Sequence, residues 1–198
     1  MQLENKLTIV TGAGRNIGAG IAARFAREGA KVAVVDILED RTVAIAKEIN
    51  SIIPGAALPI RCDVTNGDDV QAMVAKVIAE WGHVDTLVNN VGVVDRMDIL
   101  HTPESEWNRV IAVSLTSVFL VSKYVAQSMV DRGQGGRLIN ISSTSGHRGR
   151  PNATAYPAAK AGALHLARSL AIQLAPHNIR VNSITPNRVL TEAEPGAP

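Results

Sequence analysis

Aromatic residues are scarce in this chain: two Trp, two Tyr and two Phe make up 3% of 198 residues. So few flat side chains cannot build base-stacking platforms, and a net charge of +2 spread along the sequence offers no electrostatic footprint for nucleic acid. Cys62 stands alone, which excludes an internal disulfide and fits a reducing compartment. No long apolar stretch follows Met1, and no uninterrupted apolar run approaches the length that crosses a bilayer. The expectation is a soluble, cytoplasmic protein with neither a membrane nor a nucleic-acid partner. His83, His101, His147, His165 and His177 lack metal-ligand spacing, so no metal site is expected. Two phosphate-binding signatures are also missing. Ile17 interrupts a G-x-G-x-x-G spacing, and no Gly-Lys pair exists to make a P-loop.

What the chain has in quantity is aliphatic: 46% of it is hydrophobic, much of that alanine and valine. Short apolar runs alternate with segments of helical period. Strands are expected over about Lys6–Thr11, at KVAVV ending on Asp36, at ALPIR, VDTLVNN, GRLINIS and IRVNSI. Between them, helices are expected to about Glu28, over Glu39–Asn50, after an Asn66 cap, over Pro103–Arg132 and over Ala155–Ala175. Six β–α alternations with strands apolar on both faces predict an α/β fold, a doubly wound parallel sheet of Rossmann-like form. One dinucleotide-binding domain is expected over residues 1–190, with a Pro/Gly-rich tail at 191–198. The 103–132 and 155–175 helices are apolar nearly all round. They are therefore expected to bury a second face, in a homodimer or homotetramer or in the chain's own core.

In such a fold ligands sit beyond the carboxyl ends of the strands. Gly12, Asp36, Asp63, Asn89–Gly92, Ser143 and Pro186 all fall there. A strand running through a glycine-rich turn into a helix points backbone N–H groups at an anion such as a diphosphate. Asp36, about 20 residues beyond the glycines, is placed to accept hydrogen bonds from ribose hydroxyls and to repel a 2′-phosphate. NAD(H) is favoured over NADP(H) on that ground, although Arg15 in the turn offers a partner for the phosphate. The segment from Ser143 to Lys160 carries the chemistry. Tyr156 and Lys160 are spaced to share one helix face, where an ammonium favours the phenolate, and the Ser143 hydroxyl could hold a substrate oxygen.

These motifs together resemble the short-chain dehydrogenase/reductase family over nearly the whole chain. TGAGRNIG is similar to its glycine-rich turn and NNVG to its N-N-A-G element. Ser143, thirteen residues before Tyr156, and the Tyr156-x-x-x-Lys160 pair match its catalytic signature. The resemblance implies hydride transfer between a nicotinamide and a secondary alcohol or ketone, with Tyr156 as general acid or base. It implies that Lys160 binds the nicotinamide ribose and assists Tyr156, and that Ser143 holds the substrate oxygen. Gly12, Arg15, Asn16, Ile17, Gly18, Asp36, Ile37, Asp63, Val64, Asn90, Val91, Gly92, Tyr156, Lys160, Pro186, Val189 and Thr191 would contact the cofactor.

Four departures from the pattern stand out. Asn16 replaces a glycine of the turn and must take its positive φ. Ser114 replaces the asparagine of the catalytic set, with a shorter reach toward a relay behind Lys160. Asn187 replaces the glycine after Pro186, again a candidate for positive φ. Family members continue past Pro198 through a substrate lid and a seventh strand. The alternative implied by these departures is a non-catalytic dinucleotide-binding or oligomerising module, or an inactive fragment of such an enzyme. A hydrolase is disfavoured, because no histidine and acid accompany Ser143 in a nucleophile elbow. His147, Asp95, Arg96 and Asp98 are expected to be solvated loop residues, and Trp81 and Trp107 packing residues at helix ends.

Overall fold

The computed structural model describes residues 1–187 and Val189. Six parallel strands form one sheet in the order β3-β2-β1-β4-β5-β6. They are β1 Leu7–Thr11, β2 Lys31–Asp36, β3 Ala57–Arg61, β4 Thr86–Asn89, β5 Gly136–Ile141 and β6 Ile179–Ile184. The helices between them are α1 Asn16–Arg27, α2 Glu39–Ile52, α3 Gly67–Trp81, α4 Glu104–Ile111, α5 Ser117–Arg132 and α6 Ala155–Leu174. The Rossmann-like architecture expected from the alternation is the one observed.

Strand alternation divides the core into two layers. Ile9, Ala33 and Val35 point to one face with Leu87 and Leu138, where residues of α3, α5 and α6 pack. Their chain neighbours Val10, Val32 and Val34 point to the other with Val88, under Ala22 and Ala26 of α1 and Ala46 and Ile49 of α2. Apolar side chains at successive strand positions, with valine the most frequent, therefore suit a sheet covered on both sides.

β1 pairs with β2 on one side and β4 on the other. Connections leave in opposite directions there, which opens a crevice at the carboxyl ends of β1 and β4. Thr11 closes its floor: its Oγ1 donates to Val88 O at 3.3 Å and accepts from Asn90 N at 3.1 Å.

The expected helix over Pro103–Arg132 begins at Glu104 and contains one irregular turn. Ala112–Thr116 winds as a π-helix between α4 and α5, with Ser114 fully buried in it. By length and composition alone the Glu104–Arg132 helix could cross a membrane, although no uninterrupted apolar run does: an 18-residue stretch of it has a mean hydropathy of 1.5, and 44% of that stretch is buried inside the fold. The apolarity belongs in large part to the α3–α5–α6 core layer. Asp85 ties the amino end of the sheet together. Its carboxylate accepts from Leu7 N at 3.0 Å and from Arg132 at 3.1 Å, with His83 at 3.2 Å.

Candidate active site

The glycine-rich turn after β1 is shaped by three close approaches. Gly12 has φ +62, and Asn90 Nδ2 donates to both Thr11 O and Gly12 O at 3.1 Å. A Cβ on Gly18 would run into the Gly12 carbonyl, so only glycine lets α1 start beneath the turn. A Cβ on Gly14 would meet Asp36 Oδ2 at 2.8 Å. Asn16 takes φ +50, as its replacement of a glycine required. Among the described residues no side chain caps the first turn of α1, which leaves its backbone N–H groups to the crevice.

A cavity of ≈ 440 Å³ opens over this turn. It is lined by Gly12, Arg15, Asn16, Ile17, Asp36, Ile37, Asp63, Val64, Asn90, Val91 and Gly92, all expected there from the sequence. Arg41, Cys62, Thr65, Val93 and Val113 also line it and carried no sequence signal. Asp36 at the end of β2 is held by Gly14 N at 3.1 Å on Oδ2 and Leu38 N at 3.2 Å on Oδ1. Asp63 Oδ1 accepts from Thr65 N at 2.9 Å and Thr65 Oγ1 at 2.7 Å, which fixes the turn after β3. Desolvation, reinforced by the nearby Asp69 and Asp63, pushes the buried Cys62 thiol up to about 12, so it remains a neutral core group.

Ser143, Tyr156 and Lys160 stand beside this cavity rather than in its wall. Lys160 is 3% exposed, and its Nζ donates to Ile141 O at 2.9 Å. Its ammonium lies 5.8 Å from the centroid of the Tyr156 ring, as spacing along one helix face requires. A Cβ on Gly92 would approach Lys160 Nζ to 3.1 Å, so this glycine is the point where the cavity wall meets the lysine. Burial lowers the Lys160 pKa to about 8, which leaves the group mostly protonated at pH 7. Ser143 lies two residues beyond β5, buried; its Oγ accepts from Ser145 N at 3.1 Å and donates to Ser145 Oγ at 3.2 Å. Ser142, also buried, donates to Lys160 O at 3.1 Å and locks α6 onto the end of β5.

Residues 6–196 match the family described as short chain dehydrogenase. The chain belongs to that family.

Among its curated relatives is an uncharacterized oxidoreductase of Thermotoga maritima, 40% identical over 192 residues, which cover 96% of this chain and 73% of that one. A galactitol 2-dehydrogenase of Agrobacterium fabrum is 38% identical over 189 residues, 96% of this chain and 72% of its own length. A crystal structure of a short-chain type dehydrogenase/reductase from Mycobacterium marinum agrees with a TM-score of 0.89 at 39% identity, covering 93% of this chain and 75% of that one. A short chain dehydrogenase from Mycobacterium smegmatis gives 0.92 at 32% identity, over 94% and 78%. The short-chain dehydrogenases bind nicotinamide dinucleotides and act on small alcohols or carbonyl compounds.

Three sequence expectations need correction or completion. Asp95 is not a solvated loop residue. It is 1% exposed, and its carboxylate accepts from Thr154 N at 2.7 Å, Ala155 N at 2.8 Å and Tyr156 N at 3.0 Å. Burial alone would raise its pKa, but those amides outweigh it and hold the group below the usual carboxylate value. Its neighbours Arg96 and Asp98 are exposed as expected. Asn187 is not among the described residues with positive φ; its Oδ1 accepts from Thr144 Oγ1 at 3.3 Å instead. Trp107 lies inside α4 and is 39% exposed, so it is not a buried helix-end anchor, whereas Trp81 ends α3 against the core.

Ser114 occupies the place foreseen for it but points at backbone. Its Oγ donates to Val93 O at 3.1 Å and accepts from Val93 N at 3.0 Å. Pro186 O accepts from Thr144 N at 3.1 Å, which joins the segment after β6 to the Ser143 turn. Val189 is exposed beyond it, and Thr191 lies outside the described residues.

Proposed function

We propose that the chain is an NAD(P)(H)-dependent oxidoreductase that interconverts a secondary alcohol and a ketone. The observation that carries this reading is the placement of a buried, mostly protonated Lys160 between the Tyr156 ring and Gly92 of the cavity wall. The glycine cradle and the uncapped start of α1 suit a pyrophosphate. Gly12, Asn16, Ile17 and Gly18 would surround it, with Asp36 and Ile37 at the adenosine ribose and Asp63 and Val64 at the adenine. Asn90, Val91, Gly92, Pro186, Val189 and Thr191 would frame the nicotinamide end. When bound, the dinucleotide supplies or accepts the hydride.

The chain's own groups handle the proton and the orientation. Tyr156 would donate a proton to the carbonyl oxygen in reduction and take it from the hydroxyl in oxidation. Lys160 would hold the nicotinamide ribose beside the Tyr156 ring. The Ser143 hydroxyl, now turned to Ser145, would turn to the substrate oxygen. Asp36 favours NAD(H), since a carboxylate facing the turn repels a 2′-phosphate. Arg15 and Arg41 in the same cavity are the groups that would act in the opposite sense. We read the working form as a soluble, cytoplasmic homo-oligomer joined through α5 and α6, consistent with the single buried thiol and with the exposed Phe119 on α5 and Ile172 on α6.

Purified protein is expected to change the near-ultraviolet absorbance of NADH or NAD with a member of a panel of polyols, hydroxy acids and oxo compounds. Tyr156→Phe should lower kcat by about 100-fold or more while retaining NADH binding. Turnover that survives in Tyr156→Phe would remove Tyr156 from the chemistry. A second reading, a dinucleotide-binding module without turnover, draws on the Ser114 hydroxyl being spent on Val93. It requires NADH binding with no activity across the whole panel.

A further inference from the structure

The loop after β4 carries a buried carboxylate that forms no ion pair among the described residues. Asp95 is 1% exposed, and no Lys, Arg or His lies within ion-pair distance of it among the described residues. Its negative charge is compensated by backbone amides, all three from the start of α6. Thr154, beside them, is anchored a second time: its Oγ1 donates to Met97 O at 3.2 Å. The same loop begins at Gly92 and Val93, which meet Lys160 Nζ and the Ser114 hydroxyl. One short segment thus touches the cofactor cavity, the buried lysine and the backbone of the tyrosine.

We infer that Asp95 is a positioning residue for Tyr156: its carboxylate fixes the backbone that carries the phenol relative to the nicotinamide end of the cavity. The inference rests on the oxidoreductase reading for its consequence in rate, though not for its structural content. A carboxylate is the appropriate group. It accepts two amides on one oxygen and a third on the other, and charge-assisted bonds of this kind are shorter and stronger than neutral ones. It also meets the positive end of α6, which is favourable for an anion. Asp95 reaches no substrate atom itself. Acting through the Tyr156 amide, it restrains the first turn of α6 from sliding along β5, and a displacement of about 1 Å at a proton donor can cost about 100-fold in rate.

The chain contains only two tyrosines, Tyr124 and Tyr156, which makes a direct test possible. Protein labelled with carbon-13 at the tyrosine Cζ alone should give two resonances, with Tyr156 assigned by its loss in Tyr156→Phe. In Asp95→Ala the Tyr156 resonance is expected to shift or broaden while that of Tyr124 stays in place. Where turnover is measurable, kcat should fall about 10- to 100-fold with the NADH dissociation constant changed by less than about 2-fold. Asp95→Asn, which keeps one acceptor oxygen, should recover part of both effects. If Asp95→Ala does not fold, Asp95→Asn carries the same readout. An unmoved Tyr156 resonance overturns the inference, as does a loss of NADH affinity equal to the loss of kcat. Wild-type protein that never turns over would overturn the proposed activity alone, because the resonance still decides the role of Asp95.

Discussion

Lys160 is a charge kept in the core at a cost to the fold. Its pKa falls from 10.5 to about 8 because burial disfavours the ammonium. The unfolded chain therefore binds this proton more tightly than the native one. The penalty is fully present below pH 8 and is relieved as pH rises from there toward 10.5. The shift corresponds to on the order of 3 kcal/mol as an upper bound. Lys160→Met should accordingly abolish turnover yet raise Tm, and the gain should shrink steadily above pH 8. Thermal melts of the two proteins across that range check it; a variant less stable at neutral pH would contradict the sign. Asp95 lies at the other extreme of legibility. Nothing in the order of residues after NNVG distinguishes it from Asp98, because its burial is set by amides some 60 positions away. Asn16 was readable, since asparagine at a glycine position tolerates positive φ. Asn187 satisfied the same rule and did not follow it; its side chain bonds to Thr144 across the two loops.

At the scale of elements, the turn between β1 and α1 is the least tolerant piece. Gly18→Ala would place a methyl group on the Gly12 carbonyl, so α1 must retreat from the strand. Strain of this kind typically costs about 1–3 kcal/mol. The expected result is a lower Tm together with weakened NADH binding, read by the fluorescence of the bound nucleotide. Binding equal to wild type would mean that the cradle is not where the pyrophosphate sits. The strands were legible because aliphatic residues fill both faces of the central ones, Ile9 with Val10 in β1 and Val32 to Val35 in β2. The helix from Glu104 to Arg132 was legible as a helix but not in its winding. A π-turn adds one residue to a turn, and in a segment apolar on nearly every side no periodicity marks where that residue enters.

The whole molecule offers one direct test of assembly. Phe119 on α5 is 46% exposed and Ile172 on α6 is 78% exposed. These are the helices expected to form a subunit interface. Light scattering should give a mass above the 21.0 kDa of one chain, and a Phe119→Glu, Ile172→Glu double variant should approach it. A wild-type monomer at micromolar concentration would end that reading. The sheet, in turn, gives the molecule a polarity. Every strand runs the same way, and the crevice lies at their carboxyl ends. The first residues are fastened at the opposite rim, where Gln2 and Leu3 bond to Glu28 just before β2 begins. A strand of five residues puts roughly 16 Å between that rim and the glycine turn. A tether, label or solid support attached at Met1 would therefore hold the chain by its base, leaving the mouth of the cavity facing the bulk solution.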